Sequence, residues 1–312
     1  MKITFLGTGT SCGVPVIGCQ CEVCTSKDPR DKRLRCSILV ETDTTRILVD
    51  CGPDFRQQML TQPFRKIDAV LLTHIHYDHV AGIDDLRPYC HFGEINVYAN
   101  HATAQALHQT MPYCFATHLY PGVPTISLHE IAPHQPLQVG DIEVMPLEVM
   151  HGKMPILAYR FDTLGHKIAS KRAKTELARS IPSVSNLSKS NINLSQNDYC
   201  KIKERFTSET LNSQLSTSNS KPFAYITDMK TISDDDKALL AGIDTLVCNA
   251  LRWDRQHHSH QLVADAVGFA QSLGARRTLL IHGSHHIGLH AQTNRRLPEG
   301  VELAYDGQTI TL

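Results

Sequence analysis

The stretch Ala69-Val70-Leu71-Leu72-Thr73-His74-Ile75-His76-Tyr77-Asp78-His79 decides how this chain is read. An apolar run of strand length feeds directly into three imidazoles and a carboxylate. Neutral imidazole and carboxylate are the side chains that hold borderline divalent metals such as zinc, iron and manganese. In extended geometry His74 and His76, two residues apart, point the same way. Asp78 and His79 follow after the chain turns, where they can serve a second, adjacent metal. The bland alternative is a His-rich loop whose rings merely cap backbone groups. It leaves unexplained why four such groups gather behind a buried strand, and why further donors recur downstream.

The bulk composition fits an ordinary globular protein. The 312 residues are 41% hydrophobic and 20% charged, enough for a substantial core. A formal net charge of zero excludes an overall field that would steer the chain toward nucleic acid or anionic membrane. Met1 to Gly7 lacks the apolar length and cleavage site of a signal peptide, and no stretch approaches a membrane span. Ten cysteines without a secretory signal argue for reduced thiols and metal ligands, so the expected location is cytoplasmic. A homodimer is compatible with these numbers.

Strands are expected at residues 2–6, 37–41, 46–50, 69–73, 95–99, 125–128, 137–139, 142–148 and 156–162, with helices over 54–61 and 101–111. Composition then breaks. Residues 166–221 are rich in Ser and Asn and carry ten Lys/Arg against four Asp/Glu, about +6, leaving about −6 on the remainder. This reads as a mobile, basic insertion in a single domain spanning 1–312, with Tyr199 to Phe206 able to form a helix. Globular sequence resumes with strands at 223–228, 246–249 and 278–282 and an amphipathic helix over 261–273. Residues 302–305 and 308–312 read as a closing hairpin over Asp306-Gly307. Strands in both halves with helices between them predict an α/β fold of two packed sheets with helices outside.

Two-metal hydrolysis needs about seven protein ligands, one of them a bridging carboxylate, around metals roughly 3.5–4 Å apart. Ligands are best placed at strand ends, because strands aim side chains rigidly. His151, Asp228 and His282 each stand at or just past the end of an expected strand. Any one of them alone reads as a cap. The order His74-x-His76-x-Asp78-His79, His151, Asp228, His282 resembles the metallo-β-lactamase superfamily, whose fold is a four-layer αβ/βα sandwich. The resemblance implies one metal on His74, His76, His151 and Asp228. It implies a second on Asp78, His79, Asp228 and His282, with Asp228 bridging.

A second cluster lies near the start. Cys19-Gln20-Cys21-Glu22-Val23-Cys24 offers three thiolates in six residues, which suits structural zinc if a fourth ligand closes the tetrahedron. A redox or merely loop-forming role is the rival reading. His285 can be the fourth ligand, although His286 beside it leaves the choice open. This arrangement resembles the PhnP-type branch of the superfamily, the cyclic-phosphate phosphodiesterases, in which a Cys3His zinc lies beside the catalytic pair. Phe5-Leu6-Gly7-Thr8-Gly9 and Ala304-Tyr305-Asp306-Gly307 also match that branch; the long basic insertion does not.

His257-His258-Ser259-His260 precedes the expected helix over 261–273. The same resemblance places His260 where a general-acid histidine is found, with His258 the alternate if the register slips. An exposed His-rich helix cap is the competing reading. Arg252, just upstream, is a candidate phosphate contact, and His258 is a second candidate for substrate binding. The catalytic candidates are therefore His260 and Asp78. The implied cofactors are two divalent ions, zinc or manganese, and one structural zinc.

The expected activity is hydrolysis of a small cyclic phosphodiester, nucleotide or sugar, by attack of a metal-bridging hydroxide. Two rivals stand beside it. One is a tRNase Z-like endonuclease, whose RNA-gripping arm occupies the interval of the basic insertion. The other is a thioester or lactone hydrolase using the same metals on a carbonyl. A non-catalytic binding protein on this fold is disfavoured, because no expected ligand is missing.

Overall fold

The computed structural model describes residues 1–116, 118–163 and 221–312. The expected basic insertion over 166–221, the Tyr199 to Phe206 helix and Cys200 lie outside the described residues, Lys221 apart. Residues 1–161 and 221–312 form one compact unit.

Two β-sheets form its centre. The first has seven strands in the order β15-β1-β2-β3-β4-β5-β6: Thr309–Thr311, Lys2–Gly7, Ser37–Glu41, Arg46–Val49, Ala69–Leu71, Ile95–Ala99 and Ile126–Glu130. The second has eight. Its path is β11-β8-β9-β10-β12-β13-β14: Thr231–Ile232, Ile142–His151, Met154–Thr163, Phe223–Ile226, Thr245–Asn249, Arg277–Ile281 and Val301–Leu303. β7 (Leu137–Val139) pairs beside β8. β3 to β6 run parallel to one another, as do β10 and β12 to β14.

The period-two alternation of side chains explains the layers. Ile3, Phe5, Ile38, Val40, Ile47 and Val49 face inward, where they meet Leu157, Tyr159, Tyr225, Val247 and Leu279 of the second sheet. Leu39, Leu48 and Val70, one residue out of phase, turn outward onto Phe55, Leu86, Ala104 and Leu107. On the far side Ala224, Ile226, Leu246 and Cys248 pack against Val263, Ala266 and Phe269 of the helix Val263–Leu273. Strands buried on both faces read as near-continuous apolar runs, which is why Ser37–Glu41 and Ala69–Leu71 show so little polarity. Helix, sheet, sheet, helix is the expected four-layer αβ/βα sandwich. Among the described residues no helix is long and apolar enough to cross a membrane.

The expected closing hairpin over Asp306-Gly307 does not form. β14 pairs with β13 in the second sheet, whereas β15 pairs with β1 in the first. The turn is instead a crossover between sheets. Gly307 N–H donates to Phe5 O at 2.7 Å, and the Asp306 carboxylate accepts from Thr8 Oγ1 at 2.8 Å and Leu34 N–H at 2.6 Å. These anchors carry the last strand away from its sequence neighbour. The helix expected from Gln261 starts at Val263, since Leu262 is its N-cap and donates to the Asp265 carboxylate at 3.1 Å. Ile83–Phe92 forms a 3-10 segment with Pro88 inside, which no periodicity announced.

Candidate metal centre

The ends of strands from both sheets converge. β3 delivers Asp50, β4 leads through Thr73 to His74, β8 ends at His151, β10 leads to Asp228, and β13 leads to His282. Asp50, Asp228 and His282 have φ of 60°, 56° and 57°. Left-handed backbone is uncommon outside glycine, with Asn, Asp and His the side chains that adopt it most often, and such positions cluster where side chains are aimed for chemistry. Each of the three stands just past the end of its strand, Val49, Ile226 and Ile281 being the last strand residues.

The donors group as two overlapping sets. The ligand atoms of His74, His76 and His151 lie within 4.8 Å of one another, as do those of Asp78, His79 and His282. Asp228 reaches both halves: its carboxylate groups with His74 and His79 within 4.8 Å, and its Oδ1 is 3.0 Å from His282 Nε2. Asp78 Oδ2 lies 3.2 Å from His79 Nε2. His74 Nε2 and His76 Nδ1 are 3.0 Å apart, near the ~3.3 Å that two imidazoles sharing one tetrahedral zinc would show.

Burial makes this set expensive without a cation. His74, His79, Asp228 and His282 are essentially fully buried, and His79 Nε2 and both His282 nitrogens have no hydrogen-bond partner. Burial pushes His79 and His282 down, but the surrounding carboxylates prevail. Asp50, Asp228 and Asp78 hold His79 well above the usual histidine range, and Asp228 with Asp78 lifts His282 to about 9. His74 is pushed well down, and His76 down, mainly by burial. Against their own burial, Asp228 and Asp78 are held below the carboxylate range by those imidazoles. Nitrogen lone pairs converging with two carboxylates suit zinc or manganese, and the donor set fits a pair of such ions.

Around these donors stand residues that the sequence did not single out. Asp50, fully buried, accepts from His79 Nδ1 at 2.7 Å and from Thr73 N–H at 2.8 Å and Thr73 Oγ1 at 3.0 Å. That contact puts the His79 proton on Nδ1 and turns Nε2 inward. Asn249, at the end of β12, clamps Met229 through both its amide atoms at 2.8 and 2.9 Å, fixing the backbone after Asp228. His151 Nδ1 donates to Asp228 O at 2.8 Å, with Ser259 O at 3.0 Å. In the sequence Asp50 is only a strand-end acid before Cys51-Gly52, a pattern that a backbone cap shows equally. Gly52 is required there, because a Cβ would stand 2.0 Å from Asp78 O.

Of the two histidines weighed for proton donation, the structure brings His260 to the cluster. Its Nδ1 is 3.6 Å from Asp228 Oδ1 and its ring centroid 4.7 Å from that of His151. Burial, then the neighbouring His282, pushes it down to about 2. His258 is exposed and stacks on His257 at 4.4 Å. Arg252 directs Nε to Arg255 O at 2.9 Å, so part of its guanidinium holds its own loop together.

The second cluster also assembles. His285 Nδ1 lies 3.2, 3.3 and 3.5 Å from the sulfurs of Cys19, Cys21 and Cys24. His285, rather than exposed His286, completes the group. A hydrogen bond from Cys24 N–H pulls the Cys21 thiol down to about 6, while burial pushes Cys24 up to about 11. A Cys3His set closed on all four sides is the pattern of a structural zinc, and these donors fit one.

Residues 45–174 and 200–283 match the family model of the β-lactamase superfamily domain. The chain belongs to the metallo-β-lactamase superfamily. Within it, the crystal structure of a diphosphatase from the PhnP family superposes with a TM-score of 0.74 at 31% identity, covering 100% of this chain and 97% of that one. An octanoyltransferase of Porphyromonas gingivalis is 36% identical over 98% of this chain and 51% of its own length. A ribonuclease Z of Methanopyrus kandleri is 30% identical over 59% of this chain and 57% of its own. The chain thus spans little more than half the length of these curated relatives.

Proposed function

We propose that this superfamily member is a dinuclear metal-dependent phosphodiesterase acting on a small cyclic phosphate, with His260 as proton donor to the leaving oxygen. The observation that carries the reading is the placement of His260 against the Asp228 side of the seven-donor cluster, 3.6 Å from the shared carboxylate. Likeness to the PhnP-family diphosphatase along the whole chain supports phosphorus as the attacked atom.

His74, His76, His151 and Asp228 would hold one ion, and Asp78, His79, Asp228 and His282 the other. When bound, such ions supply Lewis acidity and an acidified water. The chain's own groups supply the rest. Asp50 keeps His79 in the tautomer that presents Nε2. Asp78, the other catalytic candidate, faces both His79 and His282 and orients the attacking side. His260 begins neutral because burial, and then the neighbouring His282, oppose its charge. An anionic phosphodiester beside it stabilises the imidazolium, so substrate arrival itself charges the proton donor. Arg252 and His258 remain candidates for the outer phosphate oxygens.

A tRNase Z-like reading is favoured by the ribonuclease Z relative and by the excess charge of residues 166–221. An acyl-bond reading, thioester or lactone, is favoured by the relative named octanoyltransferase. Metal analysis followed by parallel assay on 2′,3′-cyclic nucleotides, a pre-tRNA and an acyl thioester separates all three. The proposal expects turnover on the cyclic phosphates and two metals per chain beyond the Cys-site zinc. Preferential cleavage of pre-tRNA or thioester would overturn it.

A further inference from the structure

The turn that completes the Cys3His group is also the turn that holds the His260 loop. His282 and His285 are separated only by Gly283 and Ser284. Ser284 donates to Leu251 O twice, from N–H at 3.0 Å and from Oγ at 2.9 Å. Leu251 N–H in turn donates to Gln261 O at 3.0 Å, closing the base of the loop that carries His260. Two residues after His285, Ile287 O accepts from Trp253 Nε1 at 2.9 Å. Arg296 lies 3.8 Å over the Trp253 ring. The segment Ser284–Ile287 is therefore fastened to sulfur on one side and, on the other, to Leu251 and Trp253 in the first arm of the 251–261 loop, which Leu251 ties to Gln261.

The sulfurs differ in access. Cys21 is exposed, Cys19 half-buried and Cys24 buried. We propose that Cys19 and Cys21 form an oxidisable latch, whose conversion to a disulfide by a hydroperoxide releases His285 and loosens the loop bearing Trp253 and His260. One thiolate attacks the peroxide oxygen, breaking the O–O bond and giving a sulfenic acid and one water (or alcohol) after protonation. The second thiolate attacks that sulfenic sulfur, forming the S–S bond and expelling hydroxide, which leaves as water. The sulfurs together lose two electrons and the peroxide gains them. A cation held by the cluster then keeps only Cys24 and His285, too few for a closed site.

Trp253 is the only tryptophan of the chain and sits on the latch, so its fluorescence reports the loop directly. The zinc-loaded protein is titrated with hydrogen peroxide, following free thiols by peptide mapping, zinc release with a chromogenic chelator, Trp253 emission and turnover. Expected is oxidation of Cys19 and Cys21 first, with zinc release and a Trp253 emission shift in step. Dithiothreitol plus zinc should reverse all three. Cys12→Ser, which removes the other exposed thiol among the described residues, and Cys200→Ser should respond as wild type, whereas Cys21→Ser should not respond. Oxidation at Cys19 and Cys21 with unchanged Trp253 emission overturns the latch, as does loss of the response in Cys12→Ser. If Cys21→Ser fails to fold, the mapping and Cys12→Ser decide. The accompanying fall in turnover, tenfold or more, rests on the phosphodiesterase reading; the thiol, zinc and fluorescence readouts do not.

Discussion

Asp50→Asn isolates a single hydrogen bond behind the candidate metal centre. The substitution keeps the side chain's shape and one acceptor oxygen, so the bonds from Thr73 N–H and Oγ1 survive. What changes is the 2.7 Å contact to His79 Nδ1. A buried hydrogen bond to a charged group is worth about 1.5–3 kcal/mol, and the lost bond is also what aims His79 Nε2 at the second metal position. If that difference falls on the bound form, affinity for the second ion drops roughly 10- to 150-fold. That range matches the ~10- to 100-fold cost of removing an outer partner from a ligating imidazole. The assay is competition titration with a calibrated chelator, resolving two catalytic affinities per chain. The first site, on His74, His76 and His151, should change little. A second-site affinity within about threefold of wild type, in a variant that folds normally, would refute the orienting role of Asp50.

His260→Ala should retain both catalytic metals yet lose turnover by about 10²-fold or more, the usual worth of a positioned proton donor; a lost metal would instead make His260 a ligand. Gly52→Ala should lower metal occupancy and stability together, because the added Cβ meets the Asp78 carbonyl, a backbone atom that cannot swing aside; normal occupancy by elemental analysis would contradict this. Stability should also respond to His290, buried, pushed down to about 4 by burial and then by Arg33 and Arg30. Its folded pKa lies below the unfolded value of about 6.5, so the unfolded chain binds the extra proton. Stability is thus fully kept above about pH 6.5 and falls as pH drops toward 4, by up to about 3 kcal/mol. Urea melts of wild type and His290→Gln across that window should converge at low pH; parallel curves would remove His290 as the cause.

The motif residues were legible because their spacing carries geometry. Two histidines two apart on an extended segment share a face whatever the rest of the chain does, and a loop with three cysteines in six residues restricts what it can bind. Asp50 was not legible, since an acid ending a strand looks the same whether it caps a backbone or orients a ligand. Only the packing of β3 beside β4 sets it against Thr73 and His79. The closing segment misled for a related reason. Asp306-Gly307 is good local turn chemistry, but its partners Phe5, Thr8 and Leu34 lie far away in sequence, and they divert β15 to the other sheet. Which of His260 and His258 lies nearer the donors was likewise a matter of register, and the backbone ahead of Leu262 sets His260 beside Asp228.

The left-handed backbone at Asp50, Asp228 and His282 restricts which substitutions this centre tolerates. Chemically conservative exchanges there, such as Asp228→Glu, alter reach while offering no relief of the backbone strain; β-branched residues are worse still. Asparagine and glycine suit the conformation but surrender charge or side chain. In a mutational scan these three positions should therefore show a narrow, unusual profile, with Asn the least damaging replacement for stability and nothing acceptable for metal. Handedness, as much as ligand chemistry, would keep such a centre from drifting.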